Sequence, residues 1–83
     1  MLYDYVISIN DMDKHLASLV REMQETYNCM ITLFASEHFY VSVYRFSTDS
    51  WNSLDTGISV DASKYSLMTW FRKTFRSLYG VEN

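Results

Sequence analysis

The sequence predicts an α+β fold: a small two-layer sandwich, with two helices on one face of an antiparallel sheet of three to four strands, in the order β-α-β-β-(β)-α. Three observations predict it. Two long stretches repeat apolar residues at helical spacing, and three shorter ones carry apolar, branched and aromatic residues at strand length. The chain of 83 residues suffices for one domain, residues 1–83. It contains no proline, internal repeat or low-complexity linker that would divide it.

Leu2 to Ile9 reads as the first strand, with Tyr3, Tyr5, Ile7 and Ile9 on one face and Asp4 and Ser8 on the other. Asn10 or Asp11 then offers a side-chain acceptor to start a helix over about 11–27. Met12, Leu16, Leu19, Val20, Met23 and Tyr27 form its apolar stripe, and Asn28 suits a left-handed stop. Met30 to Ala35 and Phe39 to Phe46 read as a hairpin joined by Ser36-Glu37-His38. Ser47 to Ser53 reads as a loop containing Trp51, and Leu54 to Val60 as a third hairpin strand kinked at Gly57. Asp61 or Ser63 caps a second helix to about Tyr79, with Leu67, Met68, Phe71, Phe75 and Leu78 as its stripe and Gly80 beyond its end.

Composition excludes several classes. With 48% hydrophobic residues the chain buries enough surface to offset its conformational entropy, so it is not a disordered segment. Its single cysteine cannot build a disulfide scaffold and fits a reducing compartment. No apolar run approaches the roughly 20 residues of a membrane span. The N-terminus has no basic start leading into an apolar stretch. The expected location is the cytoplasm, with no membrane partner.

The net charge of -3 hides a split. Residues 1–63 hold nine acids and three bases, a net of -6, whereas residues 64–83 hold four bases and one acid, a net of +3. On the second helix Tyr65, Arg72 and Arg76 fall close together in angle beside Tyr79, and Lys73 lies opposite the apolar stripe. Such a surface suits phosphates or an acidic partner, or it serves as the wet face of an amphipathic helix.

No group of residues carries a complete catalytic or metal-binding pattern. Cys29 with His15 or His38 lacks an orienting third group, and it sits beside an apolar run where a small buried side chain is usual. The His and Cys spacings fit no metal motif, and no Gly-rich phosphate loop is present. Asp11 and His15 are spaced for a surface ion pair on the first helix. Leu54-Asp55-Thr56-Gly57, an apolar residue before Asp-Thr-Gly, resembles the active-site turn of aspartic proteases, including the dimeric retroviral type. The resemblance implies a shared proton between two such carboxylates. It covers these four residues, and the later apolar-apolar-Gly segment is missing, so Asp-Thr-Gly is read as a turn. Neither enzyme activity nor a cofactor is expected.

The remaining signal is aromatic. Fourteen aromatics and five methionines compete for the interior of a domain that buries only about 60% of its unfolded surface. Tyr40, Tyr44 and Phe46, with Trp51 in the next loop and Trp70 at its helix edge, are therefore candidate partner-binding residues beside Tyr65, Arg72, Lys73 and Arg76. The expected function is a non-enzymatic protein-binding module or homo-oligomer. It is similar in type, though not in sequence, to small acidic phage-encoded inhibitors of nucleic-acid-processing or defence proteins, such as anti-CRISPR proteins. The alternative is nucleic-acid binding through the basic last helix. Helix, three strands and helix resembles the double-stranded-RNA-binding domain in element order only, since residues 61–68 lack the lysine cluster that domain would place there.

Overall fold

The computed structural model describes residues 5–80. Strands β1 (Tyr5–Ile7), β2 (Cys29–Ala35), β3 (His38–Arg45) and β4 (Ser50–Ser59) form one antiparallel sheet in that order. Helices α1 (Lys14–Tyr27) and α2 (Lys64–Tyr79) cover one face, giving the predicted two-layer architecture with four strands. Alternation along the strands decides which side chains meet them. Cys29, Ile31 and Leu33 of β2 and Val41 and Val43 of β3 join Leu16, Leu19, Val20 and Met23 of α1. Leu67, Met68, Phe71 and Phe75 of α2 complete the core, and both Phe rings are fully shielded from solvent.

The boundaries differ from the sequence reading where backbone pairing or capping outweighs local pattern. The first strand is shorter than Leu2 to Ile9: Ile9–Asp11 form a 3-10 turn, and the part predicted on residues 2–4 lies outside the described residues. The first helix starts at Lys14 rather than near 11, because Asp13, not Asn10 or Asp11, accepts the free backbone N–H groups of His15 and Leu16. Asn28 closes it in the left-handed conformation, as predicted, with φ of 52°. Only residues 46–49 form the turn after β3. The polar segment from Ser50 is strand because β3 supplies its backbone partners, with Tyr44 opposite Trp51 and Ser42 opposite Ser53. Of the two predicted caps for the second helix, Ser63 fills the role. Leu78 is exposed; Tyr79, four residues after Phe75, takes the core-facing position and packs 5.3 Å from the Phe75 ring.

Asp-Thr-Gly lies inside β4, where it makes an irregularity rather than a free turn. Tyr40 pairs with Asp55, yet His38 pairs with Ser59, so Thr56, Gly57 and Ile58 together oppose Phe39. Gly57 adopts φ of 70°, which a side chain would strain. The Asp55 carboxylate accepts the Gly57 N–H at 2.8 Å. The Thr56 hydroxyl donates to the Phe39 carbonyl at 2.8 Å and accepts from the Ile58 N–H at 3.0 Å. All three motif residues are thus occupied in bending the strand.

One ion pair joins the two helix starts. While its Oδ2 caps α1, Asp13 receives the Lys64 ammonium on Oδ1 at 2.9 Å, and Lys64 opens α2. His15 does not pair with Asp11 as the spacing suggested; its Nδ1 lies 3.3 Å from Lys64 Nζ and 3.6 Å from Asp13 Oδ2. The Lys64 hydrogen bond holds the Asp13 carboxyl below its ordinary 3.8, with help from the two capping N–H groups. A carboxylate with a depressed folded pKa stabilises the fold above its unfolded value and loses that contribution as pH falls through the folded one.

Two outcomes are expected. Asp13→Asn keeps a capping oxygen but removes the charge, so it lowers the melting temperature near neutral pH. That gap from the wild type closes as pH drops below 3.8, which thermal melts across the acid range check. Phe75→Ala opens a cavity at the centre of the core and costs about 3–5 kcal/mol in urea unfolding.

Candidate functional site

The sheet has a second face, and no helix among the described residues covers it. Alternate residues of β2, β3 and β4 meet there in cross-strand rows: Met30–Tyr44–Trp51, Thr32–Ser42–Ser53 and Phe34–Tyr40–Asp55. Val6 stands beside Phe34 on β1. The first row is the most apolar. Trp51 is 63% exposed and Met30 51%, with Tyr44 half-buried between them. Phe46, 50% exposed, adds its ring beyond the end of β3.

Ring geometry makes this row a connected cluster. Tyr44 and Trp51 stand 5.0 Å apart at 45°, and Tyr44 meets Phe46 edge-on at 5.2 Å and 88°. The turn between β3 and β4 places a carboxylate beside them. Asp49, held at φ of 51°, accepts the Tyr44 hydroxyl on Oδ1, and its Oδ2 has no partner among the described residues. That hydrogen bond pushes the Tyr44 phenol above its ordinary 10.0. At the other end of the face, His38 Nδ1 lies 3.3 Å from Asp55 Oδ1, close in distance but without hydrogen-bond geometry. Among the described residues Asp49, Asp55 and His38 are the ionisable groups that flank the face apart from tyrosine, and no Lys or Arg stands on it.

The predicted partner-binding residues therefore divide between two sides of the molecule. Tyr40, Tyr44, Phe46 and Trp51 belong to the open sheet face, with Trp51 on a strand rather than in a loop. Tyr65, Arg72, Lys73 and Arg76 are exposed on α2, on the opposite side. Trp70 joins neither set; it is half-buried at the core margin, 5.3 Å from Phe71 and 6.3 Å from Phe75. Tyr79 is likewise drawn inward, where the Arg45 guanidinium stacks on its ring at 4.4 Å and Asn52 donates to its hydroxyl at 3.2 Å. Met30, Phe34 and Val6 complete the open face but were not among the predicted residues. The period-two pattern of Met30 to Ala35 places Met30 and Phe34 on one face, but it does not say which face the helices cover.

The groups read as chemical candidates do not converge. Cys29 is buried in the core, its thiol 4.0 Å from the Met23 carbonyl, and burial pushes it above its ordinary 9.0 against the pull of Arg45. His38 stands at the far end of the sheet on the opposite face, and His15 lies at the helix junction. Among the described residues no three His, Cys, Asp or Glu side chains gather as metal ligands, and no enclosed cavity is present. No helix among them is long and apolar enough to cross a membrane. The sheet also has unequal edges. Among the described residues β1 spans Tyr5–Ile7, whereas β4 is ten residues long and carries Asp55 as its one charge, which leaves a long backbone edge open to pairing.

Tyrosine titration checks the geometry of the aromatic cluster. Tyr44 is expected to ionise above 10.0, and Asp49→Asn to bring it back toward that value, as read from the Tyr44 ring carbon shifts by NMR.

No known protein family, curated protein or solved structure matches this chain, so its function is read from these surfaces.

Proposed function

We propose that the chain is a non-enzymatic protein-binding module that docks through its open sheet face. It acts by occupying the surface of another protein, in the manner of a small stoichiometric inhibitor of a nucleic-acid-processing or defence protein. The observation that carries this reading is the Met30–Tyr44–Trp51 row with Phe46, an aromatic and methionine patch left in water beside a well-filled core. Tyr, Trp and Met are the residue types concentrated in interface centres, where a desolvated ring recovers the free energy that exposure costs. The serine and threonine row next to it supplies hydroxyls for a polar margin.

A second reading has its own observation. Arg72, Lys73 and Arg76 are exposed on α2 and have no ion-pair partner among the described residues, so they form a cationic strip on the helix. Such a strip can receive nucleic-acid phosphates.

Capture from a lysate of the source cells separates the two. The sheet-face variant is Met30→Ser with Trp51→Ser, and the helix variant is Arg72→Ala with Arg76→Ala; circular dichroism checks that each is folded. The expected outcome is a protein retained by the wild type and the helix variant but lost from the sheet-face variant. Loss confined to the helix variant, with steep salt dependence and recovery of nucleic acid, would transfer the function to α2. A chain that captures nothing and stays monomeric at high concentration would overturn the proposal.

A further inference from the structure

The geometry points to an arginine side chain of the partner protein as the group that the Tyr44–Phe46–Trp51 cluster and Asp49 receive. This inference rests on the open sheet face being the docking surface, and it names the chemistry that the surface selects.

Four features lead to it. The Trp51 and Phe46 rings are largely solvent-exposed, and the tilted and edge-on packing around Tyr44 presents ring faces in more than one direction. Ring faces are electron-rich and attract cations. Asp49 places a carboxylate at the margin of the same cluster, with Oδ2 unused among the described residues. The face carries no Lys or Arg among those residues, so none of them opposes an incoming cation with a fixed positive charge. Finally, there is no enclosed cavity among the described residues, which favours a group that lies flat on a ring over one that must be surrounded. The guanidinium is planar and weakly hydrated, stacks on aromatic faces and donates in pairs to carboxylates; an ammonium does neither as well. The chain already contains one such stack, Arg45 on Tyr79 at 4.4 Å.

Charge also discriminates among occupants. Bases would stack on these rings, but a nucleic acid would bring its phosphates against Asp49 and Asp55 with no cationic track beside them. A second copy offers arginines on α2. However, α2 and the open face lie on opposite sides of the two-layer fold, so such a contact repeats head to tail rather than closing as a dimer. A partner with an arginine-bearing surface, as nucleic-acid-binding proteins commonly present, meets neither obstacle.

The test uses the whole chain and a blocked Gly-Arg-Gly-Arg-Gly peptide, with citrulline and lysine counterparts, followed through the Trp51 indole and the Tyr44 and Phe46 ring signals by NMR. The arginine peptide is expected to move these signals and to bind more tightly than either counterpart, by about two- to fivefold for each stack lost. Asp49→Asn, which tolerates the same backbone conformation, and Phe46→Ala should each weaken binding, whereas Arg76→Ala should leave it unchanged. Equal binding of the arginine and citrulline peptides overturns the inference, as does silence of the Trp51 signal. Two other results also overturn it: a larger response to oligothymidylate, or a concentration-dependent shift without peptide that Arg72→Ala removes. Should a captured partner still require Met30 and Trp51 after a negative peptide result, the docking surface stands and only the arginine assignment falls.

Discussion

Two helices can cover one face of a four-stranded sheet but not both. Among the described residues no further element closes the second face, so the strand residues are sorted by parity into core or surface. Cys29, Ile31, Leu33, Val41 and Val43 fall on the covered side; Met30, Thr32, Phe34, Tyr40, Ser42 and Tyr44 fall on the other. A polar open face would be the ordinary result of this constraint. Here one end of it is aromatic and methionine-bearing instead, beside a serine and threonine row.

The aromatic residues divide along the same boundary. Phe71 and Phe75 fill the interior, and Tyr27, Trp70 and Tyr79 ring its margin. Tyr79 is where the layers lock at one end: it touches Phe75 from α2, receives Asn52 from β4, and lies under the Arg45 guanidinium from β3. Arg45 is thereby spent within the fold. Strand alternation places it on the helix-covered side with Val41 and Val43, and no Lys or Arg stands on the open face among the described residues.

Local polar groups hold the junctions that burial alone does not specify. Asp13 caps α1 while tethering the first residue of α2, which ties the two helix starts together. At the sheet edge, Asp55, Thr56 and Gly57 turn their hydrogen bonds inward to bend β4 around Phe39. The motif with the most catalytic look in the sequence is accordingly engaged in shaping a strand.

The sequence by itself determined the α+β class, the two amphipathic helices, the Asn28 stop, the β2–β3 hairpin and the presence of more aromatic surface than a small core absorbs. Each of these follows from periodicity or local chain chemistry, which neighbouring residues express without help. Only the tertiary structure decided that Ser50–Ser53 is strand, since those polar residues acquire strand geometry from β3 and not from their own propensity. It likewise decided that Trp51 joins Tyr44 while Trp70 turns to the core, and that Met30 belongs to the open face. Periodicity can divide a strand into two faces, but which face the helices will cover depends on contacts between residues far apart in the chain.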